Sequence, residues 1–207
     1  MNVEPLWGIR LRTSRLELRL PSEDELVELF AVAEGGIHPP DEMPFYVPWT
    51  DNLDLDAFLE FHRSTWAEWR PGKWTLNLIA FLDGKPIGSQ GIEAENFSVD
   101  RTVMSGSWLG SPYQRQGLGT EQRAAVLELA FAGLGAEAAV SGSFRHNVQS
   151  QRVSEKLGYR LTGTRTLESR CEPVEHLNYR LERGDWVSPV AVEIAGVGPA
   201  LPLFGAT

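Results

Sequence analysis

The sequence predicts a single-domain α/β fold built on one sheet flanked by helices. Three observations carry this. Strand-like and helix-like segments follow one another in the order β-α-α-β-β-β-α-β-α-β-β. Nothing recurs at a period of roughly 20–50 residues, which excludes a repeat architecture. The chain has 207 residues, 42% of them hydrophobic and 23% charged, which suits one sizeable core in one domain.

The elements follow from local pattern. Leu16, Leu18 and Leu20 alternate with Glu17 and Arg19, so one strand is expected over 9–20. Ser22 and Glu25 form a capping box that opens a helix reaching about Ala33, with Leu26, Leu29, Phe30 and Ala33 on its apolar face. A long loop over 35–52 carries Pro39, Pro40, Pro44 and Pro48 with Phe45, Tyr46 and Trp49. Such a loop is a semi-rigid lid over substrate or a cover on a core edge. A second helix runs from about Leu55 to Trp69.

Asp83-Gly84 is a hairpin pair joining strands at 73–83 and 86–94. A strand over 102–109 leads into the segment 112–120 and a helix to about Leu134. A short strand at 140–144 precedes a helix that opens at Asn147 and ends at Gly158, a C-terminal cap glycine. Strands at 159–167 and 175–181 close the order. The residues from 187 to 207 form a proline-punctuated apolar extension with one charge, Glu193. It is expected to pack on the domain or at a subunit contact, with 190–194 a possible edge strand.

Composition excludes several classes. A net charge of −9 argues against tracking nucleic acid, which needs clustered Lys and Arg. One cysteine, Cys171, rules out an intrachain disulfide and fits a reducing, cytoplasmic setting. No apolar run reaches the length of a membrane span, and no signal peptide follows Arg10, Arg12 and Arg15. Four histidines and one cysteine show no metal-ligand spacing, so no metal is expected.

The segment that carries chemistry is Gln114-Arg115-Gln116-Gly117-Leu118-Gly119-Thr120, between a strand and a helix. Its glycines permit positive φ and close ligand approach. Successive backbone N–H groups then face a ligand at the positive end of a helix dipole, and a diphosphate is the natural guest. Arg115 adds a charged contact. Neither a G-x-x-x-x-G-K-[ST] loop nor a G-x-G-x-x-G after the first strand is present. A second stretch, Asn147-Val148-Gln149-Ser150 followed by Lys156-Leu157-Gly158-Tyr159, lies one helix and one strand further on.

Together these stretches resemble the GNAT N-acyltransferases, in particular the ribosomal-protein N-acetyltransferase (RimJ/RimL-like) branch. The resemblance covers roughly residues 10–186. Met43-Pro44-Phe45, Pro48-Trp49-Thr50, Ser105 to Gly110 and Pro202 to Gly205 are similar to actinobacterial members linked to succinyl-CoA. The resemblance implies a central mixed, mostly antiparallel sheet of about seven strands, splayed at an acyl-CoA site. It implies acetyl-CoA or succinyl-CoA as donor, and a small-molecule or peptide amine as acceptor. It places Trp108 and Leu109 as main-chain contacts to the pantetheine. It assigns Gln114, Arg115, Gln116, Gly117, Leu118, Gly119 and Thr120 to the pyrophosphate cradle, with Thr120 open to a second role as helix cap. Asn147 is expected to cap its helix, and the resemblance adds a contact to the pantetheine arm.

The resemblance implies Ser150 as the acid for the leaving thiolate and Glu93 as the favoured base, with Glu95, Glu168, His38 and His146 as alternatives. No covalent acyl-enzyme is required, and the apolar tail makes a homodimer or higher homo-oligomer an expectation. A non-catalytic acyl-CoA-binding module on the same fold is the competing reading; it needs the loop but neither acid nor base.

Overall fold

The computed structural model describes residues 1–206; Thr207 lies outside the described residues. The strands are β1 (Arg10–Arg12), β2 (Leu16–Arg19), β3 (Lys73–Leu82), β4 (Lys85–Glu95), β5 (Thr102–Leu109), β6 (Ala138–Phe144), β7 (Arg160–Ser169), β8 (Glu172–Glu182) and β9 (Glu193–Ala195). The helices are α1 (Glu23–Glu34), α2 (Leu55–Ala67), α3 (Phe97–Asp100), α4 (Leu118–Glu128), α5 (Val148–Lys156) and α6 (Leu201–Phe204). One nine-stranded open sheet runs β7-β8-β6-β5-β4-β3-β2-β1-β9. Every pair in it is antiparallel except β5 with β6.

Nine strands replace the expected seven for two local reasons. The single strand expected over 9–20 is a hairpin, because the Thr13 hydroxyl accepts the N–H groups of Arg15 (3.4 Å) and Leu16 (2.9 Å) and folds the chain back. The tail adds β9 beside β1, pairing Leu11 with Ile194. Two boundaries also move. α2 stops at Ala67, short of Trp69. The helix expected to reach Leu134 is α-helical only to Glu128 and finishes as a π-helical turn, Leu129–Gly133.

Helices cover both faces. Leu26, Leu29, Phe30 and Phe58 from α1 and α2 pack on Ile79 and Phe81 on one face. On the other, α4 supplies Leu118, Ala124, Ala125, Val126 and Leu127 to the larger core with Leu11, Leu18, Leu76 and Leu78. α4 is buried over most of its length, its polar residues Glu121, Gln122 and Arg123 included. α1 starts where Ser22 and Glu25 predict, with both capping-box bonds formed.

The feature that positions a site is the gap between β5 and β6. They pair only from Thr102↔Ala138 to Met104↔Val140. β5 stays on β4 as far as Leu109, and β6 stays on β8 as far as Phe144. Each strand keeps its outer partner and loses the inner one, so the sheet opens as a V.

Candidate active site

The loop before α4 is shaped by two left-handed residues. A one-turn helix, Ser111–Tyr113, leads to Gln114 in extended backbone; Arg115 then takes φ +59° and Gly117 φ +83°. Gly117 is the N-cap of α4, and Thr120 is the third helical residue with no capping bond, which corrects the cap expected at Thr120. Among the described residues, the main-chain N–H groups of Arg115, Gln116, Gly117, Leu118 and Gly119 meet no protein acceptor, whereas those of Thr120 and Glu121 bond to Gly117 O (3.1 Å each). Consecutive free donors at a helix N-terminus are an anion nest.

Side chains fix this loop from outside. The Gln114 amide donates to Ile37 O (2.6 Å) and Leu109 O (2.8 Å), tying the loop to the end of β5 and to the segment after α1. Gln116 bonds to Pro112 O (2.7 Å) instead of extending freely into solvent. Arg15 donates to Gln116 O (3.0 Å) and pairs with Glu121, which is 4% exposed and also accepts Thr13 Oγ1 at 2.5 Å.

A cleft of about 1730 Å³ runs from this loop through the V to the opposite face. Glu93, Trp108, Leu109, Gln114, Gly119, Asn147 and Ser150 all line it. Arg115, Gln116, Gly117, Leu118 and Thr120 lie outside its lining, and the Leu118 side chain is buried in the core. Beyond Met104 the β6-facing edge of β5 has no strand partner, although Leu109 O is taken by the Gln114 amide. Asn147 Oδ1 accepts the N–H of Ser150 (3.1 Å), capping α5 and holding Ser150 half-buried on the cleft wall.

The floor of the V toward α4 is polar. Ser105, Ser141, Ser143 and Arg123 are all under 7% exposed. Arg123 donates to Ser154 Oγ (3.1 Å) and Ser107 Oγ (3.2 Å); among the described residues its Nε has no partner and no carboxylate pairs with it. Burial pushes this guanidinium below its usual range.

On the α1/α2 face, Glu93 sits half-buried opposite Thr75 on β3 and Met104 on β5. Its one hydrogen bond is a long contact from Thr75 Oγ1 (3.5 Å). Burial raises its pKa above the ordinary carboxylate value, with Thr75 opposing weakly. The alternative bases fare differently. Glu95 is an exposed partner of Lys73 (2.7 Å), which lowers its pKa. Glu168 is exposed and does not line the cleft. His38 bonds to Thr50 Oγ1 (2.7 Å) and His146 to Met43 O (2.9 Å), so both line the cleft with a ring nitrogen occupied by the loop. Cys171 is exposed in the β7–β8 turn, away from the cleft.

Arg15, Glu121, Arg123, Asn77 and His62 escape the sequence reading. Glu121-Gln122-Arg123 is a polar run inside a helix whose flanks are apolar, and that mismatch is the available signal. No group of three or more His, Cys, Asp or Glu able to hold a metal occurs among the described residues. No described helix is long and apolar enough to cross a membrane.

Residues 15–160 match the model of the Acetyltransferase (GNAT) domain, so the chain belongs to the GNAT acetyltransferase family. Among solved structures, RimJ of Mycobacterium smegmatis in complex with CoA-disulfide is similar at 18% identity and a TM-score of 0.70, covering 86% of this chain and 88% of that one. The RimL ribosomal L7/L12 alpha-N-protein acetyltransferase in complex with coenzyme A gives 13% identity and a TM-score of 0.70, over 82% and 95%. A GNAT-family acetyltransferase from Bacillus anthracis gives 16% and 0.67, over 84% and 99%. At these identities the likeness is one of fold.

Proposed function

We propose that this protein transfers an acyl group from acyl-CoA to a primary amine by direct attack in a ternary complex. The observation that carries this is the run of five unpartnered N–H groups, Arg115 to Gly119, at the mouth of a cleft that opens the sheet. The pyrophosphate sits on those donors with Arg115 beside it, and the pantetheine runs along the free edge of β5 at Trp108 and Leu109, as an added strand would. The amine enters from the α1/α2 face. Its nitrogen bonds to the acyl carbon, the C–S bond breaks, Glu93 takes the amine proton and Ser150 protonates the departing thiolate. Glu93, a half-buried carboxylate without a cationic partner, supports this reading over a non-catalytic binding module.

For the donor we favour succinyl-CoA over acetyl-CoA. Arg123 is the supporting observation: an acetyl methyl gives nothing to a buried guanidinium that has only serine partners, whereas a carboxylate neutralises it.

Calorimetric titration with CoA, acetyl-CoA and succinyl-CoA tests both levels. Micromolar-range binding is expected, abolished in a folded Gly117→Glu variant, with succinyl-CoA at least ~10-fold tighter than acetyl-CoA and Arg123→Met removing that preference. No binding of any thioester by folded protein defeats the acyltransferase reading. Equal affinities defeat only the donor assignment.

A further inference from the structure

The 35–52 loop is a strap across the cleft. Both its ends join helices on the α1/α2 face, while its middle is tied to the far wall. His146 at the start of α5 holds Met43 O (2.9 Å). Arg170, in the β7–β8 turn, grips both carboxylate oxygens of Asp51 (2.9 and 2.5 Å) and Pro40 O (3.3 Å). Beneath the strap the aromatic rings form a connected wall: Phe45 to Trp49 at 5.5 Å, Trp49 to Trp108 at 5.6 Å, Trp49 to Phe58 at 6.1 Å between centroids. Glu93 lies on the floor of the same cleft with two buried polar atoms that have no protein partner, Asn77 Nδ2 and His62 Nδ1.

We propose that the acceptor is a small primary amine carrying an aromatic or similarly bulky apolar group, bound under this strap. The proposal rests on the acyl-transfer reading above and narrows its acceptor. A strap tied to both walls covers Glu93 and favours a small molecule over a folded protein surface as the acceptor. The ring wall suits an apolar body whose burial supplies affinity. Glu93 meets the amine, and the unpaired amide of Asn77 offers a donor to a hydroxyl or carbonyl on the same molecule. A polyamine needs several carboxylates along its length; the cleft's other two, Glu42 and Asp54, lie on the strap and at the cap of α2, and the floor around Glu93 holds His62, kept neutral by burial with a pKa down to about 4.

The test is thiol release by the full chain with its preferred thioester, comparing 2-phenylethylamine and tryptamine with spermidine and with a serine-initiated peptide. The expected kcat/KM for the arylalkylamines is about 100-fold above the other two, the worth of burying one ring. Trp49→Ala should raise the KM for 2-phenylethylamine about 10-fold while that for ethylamine moves little; Phe45→Ala serves if the first variant does not fold. Preference for spermidine or the peptide overturns the proposal, as does failure to turn over either arylalkylamine in protein that binds CoA. Absence of CoA binding is a separate result and strikes the acyl-transfer reading itself.

Discussion

Glu93 and Glu95 are two residues apart on β4 and project to the same face, yet they are different chemical objects. Glu95 is exposed and held ionised by Lys73. Glu93 is half-buried, feels Lys73 only at a distance, and binds its proton more tightly for lack of solvation. A carboxyl whose folded pKa lies above its unfolded value favours the folded state below the unfolded pKa, and that contribution is lost as pH rises through the folded pKa. At pH 7 Glu93 therefore costs stability. Glu93→Gln should raise the midpoint of thermal unfolding at pH 7 while cutting kcat/KM about 10²-fold. The ratio of wild-type to variant kcat/KM should fall toward one as pH drops through the raised pKa, since the acceptor's own ionisation cancels in the ratio. A flat ratio, or loss of stability in the variant, would remove Glu93 from the role of base.

At the scale of elements, the loop and α4 act as one unit whose fixing point lies far away in sequence. Arg15 and Thr13, in the β1–β2 turn, converge on the buried carboxylate of Glu121 in the first turn of α4, and Arg15 also holds Gln116 O. Removing Glu121 leaves Arg15 to water and frees the loop that presents the five N–H groups. Glu121→Ala should cost about 1–3 kcal/mol in urea unfolding and weaken CoA binding at least ~10-fold. Unchanged CoA affinity would mean the loop holds its shape alone.

This junction also shows what the sequence makes legible. Gly117 and Gly119 after a strand announce the loop because positive φ and close approach are local demands. The Ser22–Glu25 box and the Asp83-Gly84 turn are read for the same reason, and Asn147 as the cap of α5 likewise. Arg15 and Glu121 are 106 positions apart, and no periodicity joins them. Arg123 is hidden similarly: its burial depends on where β5 and β6 separate, which only the assembled sheet decides.

At the scale of the molecule, the segment after Trp186 returns to the β1 edge of the sheet and packs into the larger core. β9 extends the sheet at β1, and α6 delivers Phe204, fully buried, edge-on to Trp69 (5.2 Å) and Trp74 (4.8 Å). Both indole N–H groups are satisfied only by this segment, Trp69 by Leu203 O (2.8 Å) and Trp74 by Phe204 O (3.1 Å). Gly205 turns the chain at φ +67°, where an added Cβ would lie 2.8 Å from Pro71 O. Trp69 follows α2 and Trp74 opens β3, where it shares the larger core with Leu76 and Leu78, so the contact ties the C-terminal residues to that core at the end of β4 opposite the one paired with Leu109. Phe204→Ala should therefore lower unfolding stability by about 3–5 kcal/mol, through a cavity beside two tryptophans, while CoA affinity per folded molecule stays within about two-fold of wild type. Urea titration followed by tryptophan fluorescence reads the first quantity and calorimetry the second. A loss below about 1 kcal/mol would mean that the α2–β3 junction closes without the tail, and that residues 187–206 are an appendage of the domain and no part of its core.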